Sequence, residues 1–221
     1  MQIPRLVAGD FTDERLPAVT TAITMILSLP QAAAQRVEAI AIASGQGERW
    51  RLAHAIQAWE SNPRLRRLLV ATSNPAEATY VEITLDHLRG LGLRRTEGVE
   101  VQPEPAANTG RQAVWIAERV RDRGIGGLAL AVSPYHLPRA YLTVLKELLR
   151  RDLRVPLIPV PVAVPPHRRI PETGATADEL VPGELRRILT YMREGWVATP
   201  EELREYLRWL WDTHEPLLTG R

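Results

Sequence analysis

The chain of 221 residues contains no cysteine. This absence excludes a disulfide framework, a thiolate metal site and a cysteine nucleophile, and it fits the cytoplasmic location that we expect. The chain has no run of about 18 apolar residues, so the sequence predicts no segment that crosses a membrane. Met1 to Arg5 do not resemble the start of a secretory signal, with its apolar region and cleavage site.

The chain has almost no excess of charge of one sign, because its net formal charge is only +2 at pH 7. The arginine clusters at 64–67, 150–151 and 168–169 are short and scattered, whereas a nucleic-acid-binding protein usually carries one clustered basic face. We therefore expect no nucleic-acid partner. Lys146 is the only lysine, so nearly every cation is the planar fork of arginine, which suits carboxylates and phosphates.

Short apolar runs alternate with amphipathic stretches along the chain. The runs at 37–43, 68–71, 99–102 and 128–132 predict buried strands, and the proline-rich run at 155–164 predicts an edge strand. Helices are expected at 12–28, 49–60, 76–89, 109–123 and 139–151. This alternation predicts an α/β fold, a three-layer Rossmann-like sandwich with a mainly parallel sheet and C-terminal helices packed on it.

We interpret residues 1–221 as one α/β domain, which is a normal size for a single core. The central part spans 39–164. A helical segment at 1–38 precedes it, and a C-terminal loop with helices at 165–221 follows it. In that tail, Thr199-Pro200-Glu201-Glu202 has the pattern of a capping box with proline at the first helical position.

Polar residues cluster where the predicted strands end or the next helices begin. They are Gly45, Gln46 and Gly47 with Arg51; Thr72, Ser73 and Asn74 with Glu77; Asn108 and Thr109; and Ser133, His136 and Arg139. Because ligands of open α/β sheets bind at the carboxyl ends of the strands, we expect Arg51, Glu77, Asn108, His136 and Arg139 to line a single cleft.

The segment from Ser133 to Arg139 joins a buried strand to a helix. Pro138 lacks an N–H group and disfavours helical geometry at Leu137, so we expect the helix to begin at or near Pro138. Two prolines stiffen the connection and present His136. Arg139 lies three residues further on, a spacing that puts both side chains on one side of a helix.

The same segment resembles the Ser-x-x-His-x-x-Arg-Ala signature of the YdcF/SanA/ElyC-like proteins. Three further stretches are similar to motifs of that family: Asn108-Thr109 with Gln112, Glu77-Ala78, and Arg51-Leu52 with Ala55. The resemblance covers residues 39–150 and implies a Rossmann-like fold with a polar pocket, but no defined reaction. Thr72-Ser73-Asn74 departs from the family's Ser-Gly-Gly, and the membrane helices of several relatives are not present in this sequence.

The candidate residues suit an anionic ligand that is nucleotide-like or phosphorylated. Arg51 and Arg139 supply fixed positive charge, and His136 can exchange a proton near neutral pH. With Glu77 and His136 as catalytic residues, these groups predict a hydrolase or transferase acting on a phosphorylated or nucleotide-like substrate. The sequence has no metal-binding motif, so no metal is expected.

Two other interpretations stay open. The chain could be a non-catalytic module that binds a nucleoside-containing ligand, with S-adenosylmethionine as one candidate cofactor. It could also be an interaction protein with a vestigial pocket, whose Trp196, Trp209 and Trp211 dock a partner. The sequence predicts neither the substrate nor the oligomeric state.

Overall fold

The computed structural model describes residues 12–221. Five strands form one sheet: β1 (Ala39–Ala43), β2 (Arg67–Ala71), β3 (Val99–Val101), β4 (Leu128–Val132) and β5 (Leu157–Pro161). Their order is β3-β2-β1-β4-β5, and every neighbouring pair is parallel. The predicted α/β fold with a parallel sheet is therefore confirmed.

Seven α-helices within residues 12–221 surround the sheet. They are α1 (Leu16–Leu27), α2 (Arg49–Ser61), α3 (Leu85–Gly90), α4 (Thr109–Asp122), α5 (Leu137–Leu149), α6 (Ala177–Arg193) and α7 (Pro200–Thr219). Right-handed crossovers place α2 and α3 on one face and α4 and α5 on the other. Helix α4 packs against α5, and α1 contacts α5, α6 and α7. None of the helices described is long and apolar enough to cross a membrane.

The two central strands carry the core. All residues of β1 and β4 are buried, and both strands are continuous apolar runs, as is typical of parallel strands covered on both faces. Ile42 and Leu130 have no exposed surface. The loops that leave the carboxyl ends of β1 and β4 therefore start from a rigid base.

Strand β5 lies at the sheet edge, where its prolines cost no ladder hydrogen bond on the open side. The Tyr206 hydroxyl of α7 accepts the N–H of Leu157 at 2.7 Å and donates to the carbonyl of Val155 at 2.9 Å. Helix α7 is thus fixed to the edge of the sheet through one buried hydroxyl. Its predicted capping box at Thr199 and Glu202 is present.

The helix predicted over 76–89 is wrong for most of its length, because α3 covers only Leu85–Gly90. The N–H groups of Ala78 and Thr79 donate to the carboxylate of Glu172 instead of to helical carbonyls. The Thr84 side chain then caps α3 by accepting the N–H of His87. A distant carboxylate thus competes with the local helical hydrogen bonds.

The predicted start of α5 is confirmed. The helix spans Leu137–Leu149 with Pro138 in its first turn. The Ser133 carbonyl accepts the N–H groups of both His136 and Leu137 at 3.0 Å, which makes the connection from β4 a tight turn.

Candidate functional site

The predicted site residues lie at the carboxyl ends of the strands, but they do not share one cleft. Gly45, Gly47 and Ser73 line a cavity of about 600 Å³, named here the upper cleft. Asn108, Thr109 and Arg139 line a second cavity of about 240 Å³. Arg51, Ser133 and His136 line neither of these two cavities and are buried. The expected single cleft is therefore two cavities and a group of buried polar side chains.

A buried polar cluster joins the loops that follow β1 and β4. The Ser133 hydroxyl donates to Glu48 Oε1 at 2.6 Å and accepts from Arg51 Nε at 2.9 Å. The Tyr135 hydroxyl donates to Glu48 Oε2 at 2.8 Å, and Arg51 forms an ion pair with Glu48. These bonds close the crevice between the two central strands, which is where ligands of such sheets usually bind. The charge of Arg51 is balanced within the protein.

Helix α6 supplies a second buried carboxylate, that of Glu184. It accepts from Arg139 Nε at 2.5 Å, from Arg139 Nη2 at 3.2 Å and from Arg187 Nη1 at 2.6 Å. Burial alone would raise the pKa of Glu184, but the charge of Arg139 and the hydrogen bonds from His136 and Arg139 together outweigh burial and hold this pKa well below its usual value. An internal carboxylate thus fills the fork of Arg139 that the sequence suggested for a ligand.

His136 lies against the same carboxylate. Its Nδ1 is 3.0 Å from Glu184 Oε2 and also 3.0 Å from Arg139 Nη2. Burial, together with the charge of Arg139, lowers the pKa of His136 to about 4. The imidazole is therefore neutral at pH 7, and its contact with Glu184 is a hydrogen bond between a neutral ring and a carboxylate.

The tautomer of His136 decides what its other nitrogen can do. A neutral Nδ1 either donates a proton to Glu184 or accepts one from Arg139, but it cannot do both. Nε2 has no hydrogen-bond partner among residues 12–221. With the proton on Nδ1, Nε2 is an unpartnered base, held in place by Glu184.

The turn at Gly45, Gln46 and Gly47, a candidate ligand-binding segment, has three successive positive φ angles of 146°, 57° and 69°. However, the Gln46 N–H donates to Glu77 Oε2 at 2.7 Å. The carboxylate of Glu77 thus occupies the amide that a phosphate would use. Burial raises the pKa of Glu77, against the opposing effect of that hydrogen bond.

The polar residues after β2 also bond to neighbouring segments. Gln112 Nε2 of α4 donates to the carbonyls of Ser44 and Thr72, both at 2.8 Å, and so ties the ends of β1 and β2 together. The Thr72 hydroxyl donates to the Glu104 carbonyl at 3.1 Å. Asn74 Oδ1 accepts the N–H of Ala76 at 2.9 Å, as in an Asx-turn.

The start of α4 is built as predicted. Asn108 caps this helix by accepting the N–H of Arg111 at 3.0 Å. The Thr109 hydroxyl accepts from Arg139 Nη1 at 3.1 Å, which holds Arg139 at the helix start. Both residues have a structural function that needs no ligand.

The upper cleft contains two arginines that sequence reasoning did not select. Arg49 and Arg168 are exposed, line the cleft and form no ion pair with a carboxylate of residues 12–221. The guanidinium of Arg168 lies 5.7 Å from the centre of the Trp50 ring, which also lines the cleft. Arg168 comes from the loop after β5, 119 residues from Arg49 along the numbering, so no local sequence pattern links the two.

The tryptophans of the C-terminal part differ in exposure. Trp196 is 51% exposed and Trp211 is 42% exposed. Trp209 is partly buried and packs against Tyr206 and His214, at ring-centre distances of 5.5 Å and 5.0 Å. Trp196 and Trp211 are therefore the two of the three whose rings are largely accessible.

No group of three or more histidine, aspartate or glutamate side chains within residues 12–221 is arranged to hold a metal ion. We found no significant match to the chain among protein-family models, curated proteins or solved structures.

Proposed function

We propose that this protein binds an anionic, nucleotide-like or phosphorylated small molecule in the upper cleft. The observation that carries the proposal is the pair of unbalanced cations, Arg49 and Arg168, beside the half-buried ring of Trp50. Guanidinium groups recognise phosphates and carboxylates, and an indole ring stacks on a planar base. The resemblance to the YdcF/SanA/ElyC-like proteins, taken as a family proposal, also favours a polar ligand at this end of the sheet.

The dimensions of the upper cleft fit a nucleotide. Its volume of about 600 Å³ lies within the range of roughly 300–1,000 Å³ that small-molecule sites usually have. Leu52, Val81, Ile83 and Pro171 supply apolar wall, and the cations lie at the exposed side. Glu48, the carboxylate in the wall, is already paired with Arg51, so it repels an anion only weakly.

A ligand screen tests this proposal. We expect the upper cleft to discriminate by charge among nucleotides, adenosine and S-adenosylmethionine. AMP should therefore raise the thermal midpoint of the protein more than adenosine does. Arg168→Ala should weaken AMP binding about tenfold or more, because a charge-assisted contact is lost. Arg208→Ala removes an exposed arginine of α7 and is the matched control. Equal affinity of adenosine and AMP would contradict the proposal.

A second candidate function is a hydrolase or transferase in which His136 is the base. Its Nε2 has no hydrogen-bond partner in the described residues, and Glu184 holds Nδ1 at 3.0 Å. A carboxylate that orients a neutral imidazole in this way favours general-base chemistry at Nε2. This candidate requires turnover that His136→Gln abolishes and Arg208→Ala leaves unchanged. Turnover that survives in His136→Gln at the wild-type rate would exclude His136 as the base.

A further inference from the structure

Arginines also converge at the opposite end of the sheet, where the strands begin. A cavity of about 460 Å³ lies there, and Arg66, Arg67, Arg95 and Arg123 line it with Glu38 and Glu97. A neighbouring cavity of about 590 Å³ shares Glu38, Pro63 and Arg66 with it. We name the two together the lower groove. Six arginines and two glutamates line this groove: Arg36, Arg64, Arg66, Arg67, Arg95 and Arg123 with Glu38 and Glu97.

Arg95 is a fixed cation whose guanidinium forms no salt bridge with a carboxylate of residues 12–221, although the Glu60 carboxylate, which accepts its backbone N–H at 2.9 Å, acts on its charge from nearby. Its guanidinium carbon lies 3.7 Å from the centre of the Trp59 ring, and Nη2 donates to the carbonyls of Trp59 at 2.7 Å and Leu65 at 3.0 Å. These acceptors are neutral, so they hold the side chain in place but do not balance its charge. A guanidinium fixed in advance loses little conformational entropy when it binds an anion.

The other arginines of the groove are also poorly balanced. Arg123 donates to both oxygens of Glu100, at 2.9 Å and 3.1 Å, and Arg67 lies 3.7 Å from the same carboxylate. Arg119 lies 3.8 Å from it as well, so three cations share one anion. Arg64 and Arg66 are exposed and form no ion pair within residues 12–221. Arg64, Arg66 and Arg95 thus supply three cations that form no salt bridge with a carboxylate in the described part of the chain.

The wall of the groove is rigid where Arg95 joins β3. Gly98 has φ +85°, and a Cβ placed on it would lie 2.2 Å from the carbonyl oxygen of Arg66. The turn before β3 therefore packs directly against the backbone that precedes β2. This contact fixes the relative positions of the segments that carry Arg66 and Arg95.

We propose that the lower groove binds a linear chain of about three phosphate groups, which meet the three arginines of the groove that form no salt bridge, Arg64, Arg66 and Arg95. Such a chain can come from inorganic tripolyphosphate or from the tail of a nucleoside triphosphate. Trp59 is only 1% exposed and lies under Arg95, so it offers no free ring face to a base. The site therefore recognises the phosphates and not the nucleoside. It is separate from the upper cleft and does not depend on the function proposed there.

Calorimetric titration of the whole chain at low salt tests the proposal, with tripolyphosphate, ATP, orthophosphate and a short oligothymidylate as probes. We expect tripolyphosphate and ATP to bind with dissociation constants within about threefold of each other. Orthophosphate should bind at least about tenfold more weakly than tripolyphosphate. Raising the salt from about 50 to 500 mM should weaken tripolyphosphate binding about tenfold or more, because the site is exposed.

Arg66→Ala locates the site, because Arg66 is exposed and its side chain forms no hydrogen bond or ion pair within residues 12–221. We expect this variant to lose about tenfold in tripolyphosphate affinity, Arg123→Ala to lose affinity as well, and Arg208→Ala to retain it. Absence of tripolyphosphate binding, or equal losses in Arg66→Ala and Arg208→Ala, would overturn the proposal. Tighter binding of the oligothymidylate than of tripolyphosphate would overturn it in favour of a nucleic-acid surface. ATP binding that Arg66→Ala spares and Arg168→Ala weakens would place the ligand in the upper cleft instead.

Discussion

The neutral state of His136 predicts a specific dependence of stability on pH. The pKa of His136 is lowered from 6.5 to about 4 in the folded protein, so below pH 6.5 the unfolded chain binds the proton more readily. The free energy of unfolding should therefore fall as the pH decreases from 6.5 towards 4. Above pH 6.5 the burial of neutral His136 causes no such loss of stability. Between pH 7 and pH 5 this one group should cost about 2 kcal/mol.

The assay is urea unfolding of the wild type and of His136→Gln at pH 7, 6 and 5. His54 has a pKa lowered by burial, and Glu77 has one raised by burial, but both groups are unchanged in the variant. The difference between the two proteins therefore reports His136 together with its contact to Glu184. We expect the wild type to lose about 2 kcal/mol more than the variant over this range. Parallel pH profiles of the two proteins would contradict this prediction, because they would show that the folded protein does not keep His136 neutral.

Three substitutions test the contacts that hold the fold. Gly98→Ala should lower the free energy of unfolding by about 2–4 kcal/mol in chemical denaturation, because the new Cβ meets the backbone carbonyl of Arg66. Gly92 also has a positive φ but has open space around it, so the control Gly92→Ala should lower the free energy of unfolding by only about 1 kcal/mol. Glu184→Ala should cost about 3–5 kcal/mol, measured the same way, because Arg139 is left buried without its carboxylate; a loss below about 1 kcal/mol would mean that water replaces the pair. Tyr206→Phe should cost about 1–3 kcal/mol through the unpaired N–H of Leu157, and an unchanged thermal midpoint would contradict this contact.

The sequence predicted the elements whose signals are local. The apolar runs of β1 and β4 and the Asn108 cap of α4 depend on residues next to each other in the chain, and the structure has them as expected. The helix predicted over 76–89 failed because the backbone amides of Ala78 and Thr79 bond to Glu172, more than 90 residues away. No propensity calculation includes such a partner.

The candidate site shows the same limit. The sequence correctly predicted that His136 and Arg139 are neighbours at the end of β4. The carboxylate that binds both side chains, that of Glu184, lies 45 residues beyond Arg139 in the chain. The ion pair between Glu48 and Arg51 has a local signal in the sequence, because the two residues are three positions apart, which is a helical spacing. Charge compensation by distant carboxylates decides which arginines stay free, and only the folded chain determines it.

In the function proposed above, the upper cleft holds a nucleotide-like anion through Arg49 and Arg168. Calorimetric titration with AMP tests it most directly, because a single phosphate is a weak ligand for the lower groove. We expect AMP to bind the wild type and Arg168→Ala to lower its affinity about tenfold or more, whereas Arg66→Ala and Arg208→Ala should leave it unchanged. AMP binding that is absent from the wild type, or that Arg168→Ala and Arg208→Ala weaken equally, would contradict the claim.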